Sequence, residues 1–287
     1  MKNKISALCA KCSDIPVIGA LLKPKQKIAV LRLSGVIADS SVKRGGISHH
    51  KFAPLLEEAF DLYNAKAVAL IINSPGGSPA QSALIGDLVR RLAEEKELPV
   101  YAFVEDVAAS GGYWLACAAD KIYANRTSII GSIGVISAGF GMSELIAKHG
   151  IERRVHTSGK DKSFLDPFTE EKPADVKRLK ALQKDLHHLF IEWVKSRRDA
   201  HLEADDKTLF EGAFWTADSA KNYGLIDGFG EMKAVMKAEF GDEVKFVELS
   251  PEKGFISSLL NPEARSSIAA HALDVIEEKA TWARFGL

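Results

Sequence analysis

Twice in this sequence an apolar strand-like run gives way to a glycine-rich loop and then to a helix-like segment. Ala67 to Ile72 (Ala-Val-Ala-Leu-Ile-Ile) is the first run, followed by Asn73-Ser-Pro-Gly-Gly-Ser-Pro. Pro99 to Glu105 is the second, alternating small, aromatic and β-branched residues; Ala109-Ser-Gly-Gly then leads into the apolar Tyr113–Ala119. Continuous apolar strands alternating with helices predict a parallel sheet covered on its faces by helices. Ser110 falls where the second strand yields to a helix. Backbone N–H groups are unpaired there, and the positive end of the helix dipole favours an oxyanion.

Serine is also a common N-cap and Gly-Gly a common turn, so this segment alone leaves a structural cap and a nucleophile both open. The upstream loop shifts the balance, because Gly76-Gly77 leaves backbone N–H groups uncovered and lets a substrate backbone come close. One loop would then bring an attacking oxygen and the other the donors for a tetrahedral intermediate.

The motifs Asn73-Ser-Pro-Gly-Gly, Ala109-Ser-Gly-Gly-Tyr-Trp, Gly131-Ser-Ile-Gly-Val and Gly159-Lys-Asp-Lys-Ser, in this order, resemble the signal peptide peptidase A family of serine proteases, peptidase family S49, including its SohB-like branch. The resemblance runs from about Lys27 to Gly230. Neither the Ser-Gly-Gly-Tyr nor the Gly-Ser-Ile-Gly-Val motif recurs, as in the short, single-repeat form. It implies an α/β spiral ββα fold of the Clp-protease or crotonase type. It also implies a serine endopeptidase acting on unfolded or membrane-released peptides through an acyl-enzyme, with no cofactor. By motif, Ser110 is the nucleophile and Lys162 the general base. Ser132 is the hydroxyl that orients the amine, and Gly76, Gly77 and Gly111 supply backbone oxyanion donors. In this family the lysine can come from a neighbouring protomer, so a ring-like homo-oligomer is implied as well.

A lysine accepts the serine proton only when neutral, so burial and hydrogen bonding must disfavour its charged form. Asp161 departs from the aromatic that family members often carry before this lysine, and a carboxylate there would favour the charged form. In an extended segment Asp161 and Lys162 point to opposite faces; Lys160 shares a face with Lys162 and is the fallback base. No histidine lies between Asn125 and Val135, where a Clp-like triad would carry one, and His149 in Ala147-Lys-His-Gly reads as a helix C-terminus. Three other readings stay open: a Ser-His protease, an acyl-CoA enzyme using Glu105 or Asp106, and an inactive scaffold.

The balance of 38 basic and 38 acidic residues excludes a net field that would recruit nucleic acid. Cys9, Cys12 and Cys117 make no disulfide framework and no complete zinc set, so no metal is expected. Lys11, Asp14 and Pro16 interrupt the apolar N-terminus, which predicts a cytoplasmic chain and leaves peripheral contact with a membrane open. The expected organisation is an N-terminal extension over 1–26, a protease domain over 27–249 and a helical tail over 250–287. Further expectations are a first strand at Lys27–Leu33, a helix over Phe52–Leu62, and a helix opened by Ser78 and Pro79 with Leu84, Ile85, Leu88 and Leu92 buried. Short strands at Lys121–Ala124 and within Ile129–Ile136, a long helix over Pro173–Arg198 and a tail helix over Pro262–Ala283 complete them. His49 and His50 read as solvated loop residues, and Asp227 as a turn former before Gly228. The active-site strands carry no charged residue suited to a pocket, so apolar and small side chains are expected before the cleaved bond.

Overall fold

A computed structural model describes residues 25–39, 46–159, 161–250 and 279–287. The N-terminal extension up to residue 24, with Cys9 and Cys12, lies outside the described residues, as do Lys160 and the expected tail helix over 262–278. In chain order the strands are β1 (Lys27–Ser34), β2 (Ala65–Ser74), β3 (Val100–Ala109), β4 (Lys121–Ala124), β5 (Ile129–Gly131), β6 (Phe214–Thr216), β7 (Gly228–Phe229) and β8 (Lys245–Leu249). The helices are α1 (His49–Phe60), α2 (Pro79–Lys96), α3 (Gly111–Cys117), α4 (Ser143–Lys148), α5 (Pro173–Arg198), α6 (Asp206–Leu209), α7 (Ala217–Asn222) and α8 (Met232–Phe240).

The sheet runs in the order β6-β5-β3-β2-β1-β8. All its pairings are parallel except β5 with β6. Both faces are covered, which is why β1, β2 and β3 read as nearly unbroken apolar runs. Alternation sends Leu31, Leu33, Leu70, Ile72, Ala102 and Val104 to one core, against α1, α2 and α3. Ile28, Val30, Tyr101 and Phe103 face the other, against Met232 and Met236 of α8. Each fully buried aliphatic side chain contributes roughly 1.5–3 kcal/mol of transfer free energy.

The spiral arises at β3. Its first half, Tyr101–Val104, pairs with β4, and its last three residues, Val107–Ala109, pair with β5. Two successive partners therefore share one flank of the strand, and the second reaches the end where Ser110 sits.

Local signals set most boundaries. Ser78 caps α2 by accepting from the Gln81 N–H, with Pro79 as the first helical residue. Ser48 caps α1, which starts at His49, so His49 and His50 lie in a helical first turn rather than in the expected loop. Leu84, expected in the buried stripe of α2, is 48% exposed. Of the expected strand content in Ile129–Ile136, only Ile129–Gly131 pairs, because Ser132 turns to φ 55° and leaves the sheet. Strand β8 was not foreseen; it adds a parallel edge to β1.

One segment stands off the core. From Gly134 to Leu189 no described residue is buried, although Ile136, Phe140, Leu145, Ile151, Leu182 and Leu189 are all exposed apolar side chains in it. The long helix has its expected ends, yet only Phe190, Val194 and Arg198 of α5 are buried.

Candidate active site

Ser110 occupies the corner between β3 and α3 with φ 53° and ψ −123°, a combination that costs a non-glycine residue about 1–3 kcal/mol. Its own backbone is fully tied. The N–H donates to the Gly131 carbonyl at 2.8 Å, and the carbonyl accepts from Tyr113 and Trp114 at 2.9 and 3.0 Å. Its side chain makes no capping bond, so the reading of Ser110 as an ordinary N-cap does not describe this corner. A strained strand-to-helix turn whose serine makes no side-chain hydrogen bond among the described residues and lines a cavity is the geometry of a nucleophile elbow.

The back of α3 is held by groups far away in sequence. Arg90 donates to the Ala118 carbonyl and Arg197 to those of Cys117 and Ala119, so cations satisfy the helix's last carbonyls. Tyr113 donates to the Leu225 carbonyl at 2.8 Å. Burial pushes the Cys117 thiol up to about 12, leaving it a neutral packing group. Asp227 accepts from the Ile122 N–H at 2.6 Å and from Arg198, whose side chain is only 2% exposed. It is thus a scaffold carboxylate tying β4 to α5, rather than the local turn former expected before Gly228.

The second loop lies against this corner. Gly76 has φ 100°, and a Cβ there would stand 2.8 Å from both the Ala109 carbonyl oxygen and Ser110 Cβ. Only a glycine lets the two loops approach so closely. Ile37 brackets the loop, donating to the Gly76 carbonyl at 2.8 Å and accepting from the Ser78 N–H at 2.7 Å. The Gly76 N–H is itself used, donating to Ser74 Oγ at 3.2 Å. Among the described residues the Gly77 and Gly111 N–H groups make no hydrogen bond, and both residues line the cavity that holds Ser110.

Two cavities meet at Ser110. The larger, about 260 Å³, has apolar walls that include Trp114, Val135, Leu186 and Phe190. The smaller, about 210 Å³, is lined by Ser132, His187, Glu211 and Arg284 among others. Register explains how Ser132 arrives: Ala109 pairs with Gly131, so the residues that follow leave neighbouring strand ends together. Ser132 is 7% exposed and its N–H donates to the Ala213 carbonyl at 2.6 Å.

Lys162 is elsewhere. It lies in an exposed turn after Gly159 and lines neither cavity. Asp161 is ion-paired at 3.0 Å with Arg178 of α5, which draws that carboxylate toward the helix. His149 caps the end of α4 as expected, exposed and outside both cavities. Glu105 pairs with Arg32, and Asp106 accepts from Asn73 at 2.7 Å; both line a separate cavity of about 1060 Å³.

Sequence reasoning missed His187, Glu211 and Arg284. His187 Nε2 is 3.2 Å from the Ile133 carbonyl oxygen. The only signal for it was its place one residue beyond Leu186 on the predicted stripe of α5. Nothing in the sequence announced Glu211 or Arg284, which reach Ser110 by tertiary packing.

The chain is similar to several known proteins. The chain is 48% identical over 273 residues to a Brucella abortus protein named Na(+)/H(+) antiporter NhaA, covering 91% of this chain and 37% of that protein. It is 32% identical over 254 residues to the chloroplastic serine protease SPPA of Arabidopsis thaliana, covering 83% and 36%. With protease 4 of Haemophilus influenzae it shares 33% over 217 residues, covering 74% and 34%. The chain thus spans little more than a third of the length of these relatives. Among the described residues no helix is long and apolar enough to cross a membrane, and the antiporter name stays with the longer protein. In structure the chain is similar to a serine-to-alanine mutant of the 1510-N membrane-bound stomatin-specific protease, at TM-score 0.50 and 17% identity, covering 80% of this chain and 100% of that one. A lysine-to-alanine mutant of the same protease, in complex with a substrate peptide, matches with the same score and identity over 94% of its length. These likenesses carry the mostly parallel α/β fold. The model of peptidase family S49 matches residues 92–244, just over half of the chain and the part that holds Ser110, Ser132 and Lys162, and the chain belongs to that family.

Proposed function

We propose that this chain is a serine endopeptidase in which Ser110 attacks the peptide carbonyl and Lys162 of a neighbouring copy takes its proton. The observation that carries this reading is the strained Ser110 corner, whose hydroxyl shares a cavity with Gly77 and Gly111, the N–H groups of both making no hydrogen bond among the described residues. Residues 27–249 are the peptidase domain in this reading, with the two ends as extensions.

The steps balance as acyl transfer. The lysine amine removes the Ser110 Oγ proton as Oγ bonds to the carbonyl carbon, and the oxygen becomes an oxyanion facing Gly77 and Gly111 N–H. Gly76 shapes that hole through its contact with Ala109 and Ser110. The ammonium then gives its proton to the leaving amine as the C–N bond breaks. Water, deprotonated by the same amine, releases the acid product and restores Oγ–H. Ser132, beside Ser110 at the sheet end, has the hydroxyl that would orient the amine.

The exposed arm supports a shared site. A segment from Gly134 to Leu189 with exposed Phe140, Leu145 and Leu182 leaves apolar surface that a second copy would cover, and Lys162 lies on it, outside both cavities at the Ser110 of its own chain. Substrates are peptides with an apolar side chain for the larger cavity, as unfolded or membrane-released segments offer. The positions of Glu105 and Asp106 outside the Ser110 cavities weigh against an acyl-CoA enzyme. Labelling with a serine-reactive phosphonate tests the proposal: wild-type protein should gain the adduct on Ser110, and Ser110→Ala should not. An adduct that survives Ser110→Ala unchanged rejects it.

A further inference from the structure

Arg284 lines both cavities that meet at Ser110, although it comes from the far end of the sequence. Its position is set by an anchor. Phe285 is 8% exposed and packs with Val107 and Ala109, the last paired residues of β3 before Ser110. It also meets Phe214 of β6 edge-on, with ring centroids 5.1 Å apart, and Trp282 and Ile129 complete the socket. The helical turn at 279–283 then places Thr281 and Arg284 at the rim of the larger cavity.

In that cavity Arg284 is the one ionisable side chain among the described lining residues; the rest is apolar, small or hydroxylic. Its guanidinium forms no ion pair or hydrogen bond among the described residues and lies 5.8 Å from the Phe285 ring centroid. Glu211 reaches only the smaller cavity and makes no ion pair with Arg284. Arg284 is itself exposed, and an always charged fork beside an apolar pocket attracts a carboxylate, for which its donors are matched in geometry.

We propose that the segment 279–287 forms a wall of the peptide cleft and that Arg284 is a specificity-determining residue binding a carboxylate of the substrate near the cleaved bond. This rests on the peptidase reading. It also revises the expectation of a pocket with no charged residue, because the charge comes from the tail and not from the active-site strands. The carboxylate has two sources, an Asp or Glu side chain or the free C-terminus of a short peptide.

The test compares kcat/KM for matched peptides carrying Asp or Glu against Asn or Gln at each position beside the cleaved bond, each with a free and an amidated C-terminus. Wild-type protein should favour a carboxylate by about five- to tenfold, the range expected of a partly exposed charged hydrogen bond. A preference that follows the side chain assigns the acidic residue, and one lost on amidation assigns the C-terminus. Arg284→Gln should bring the ratio to about one, and Arg284→Glu should turn it toward Lys or Arg peptides. A wild type without preference, or a preference that persists in Arg284→Gln, overturns the inference and leaves the peptidase reading intact. Cleavage of none of the peptides would instead reject the peptidase reading. Binding of the same peptides to Ser110→Ala and to Ser110→Ala/Arg284→Gln protein, followed by fluorescence anisotropy, then decides: equal affinities overturn the role of Arg284, and a five- to tenfold loss supports it.

Discussion

Ser110 and Ser132 leave adjacent parallel strand ends side by side, both with left-handed backbone, at φ 53° and 55°. The Ser110 N–H donates to the carbonyl of Gly131, the residue just before Ser132. One hydrogen bond therefore couples the corner that presents the nucleophile to the corner that presents the second hydroxyl. Neither conformation is favoured for serine, and the sheet holds both.

The strain at Ser110 is measurable. Ser110→Ala should abolish turnover with the fold retained, since it deletes one oxygen. Ser110→Gly should also be inactive, yet be more stable than Ser110→Ala by about 1 kcal/mol, because glycine accepts φ 53° at little cost. Equal stability of the two variants, by urea melts, would remove strain from the account.

Gly76→Ala places a methyl group 2.8 Å from the Ala109 carbonyl oxygen and from Ser110 Cβ. The loops must part, so stability should fall by about 2 kcal/mol and kcat/KM by on the order of a hundredfold as the oxyanion donors shift. Steady-state kinetics on folded protein checks this; near wild-type kcat/KM would separate Gly76 from the hole.

Lys162→Ala should be as inactive as Ser110→Ala, and the double variant no worse, since the two groups act as one unit. Mixing the single variants should restore part of the activity, because some junctions then carry both intact groups. Retained activity in Lys162→Ala together with its loss in His187→Ala would move the base to the histidine that already lines the smaller cavity.

Phe140 is 80% exposed and Leu182 48% exposed, so Phe140→Ser with Leu182→Lys should change the stability of a single chain by less than about 1 kcal/mol. If a second copy covers the arm, the same substitutions should lower the assembled mass in analytical ultracentrifugation and reduce activity in parallel. An unchanged mass would leave the arm without that role.

Asp227→Asn removes the charge that faces Arg198, whose side chain is 2% exposed. An uncompensated buried guanidinium should cost about 3 kcal/mol or more, read by chemical denaturation. A loss below 1 kcal/mol would mean that the Gly224 carbonyl, 2.8 Å from Arg198 Nη2, suffices.

What the sequence alone determined is what near neighbours decide. The apolar runs of β1, β2 and β3, the Ser78-Pro79 start of α2, the span of α5 and the Ser110 corner all follow from periodicity, capping and small residues within a few positions. Such signals do not carry pairing or exposure. That β3 takes β4 and then β5 as partners depends on packing between segments far apart in sequence. So does the arrival of Arg284 beside Ser110, which rests on Phe285 finding the socket under Val107 and Ala109. The stripe on α5 shows the limit from the other side: its period is helical throughout, but only its last third meets the core. An apolar face is legible from spacing, whereas what buries it is settled by the tertiary structure, because burial is a property of the surface that comes to meet it.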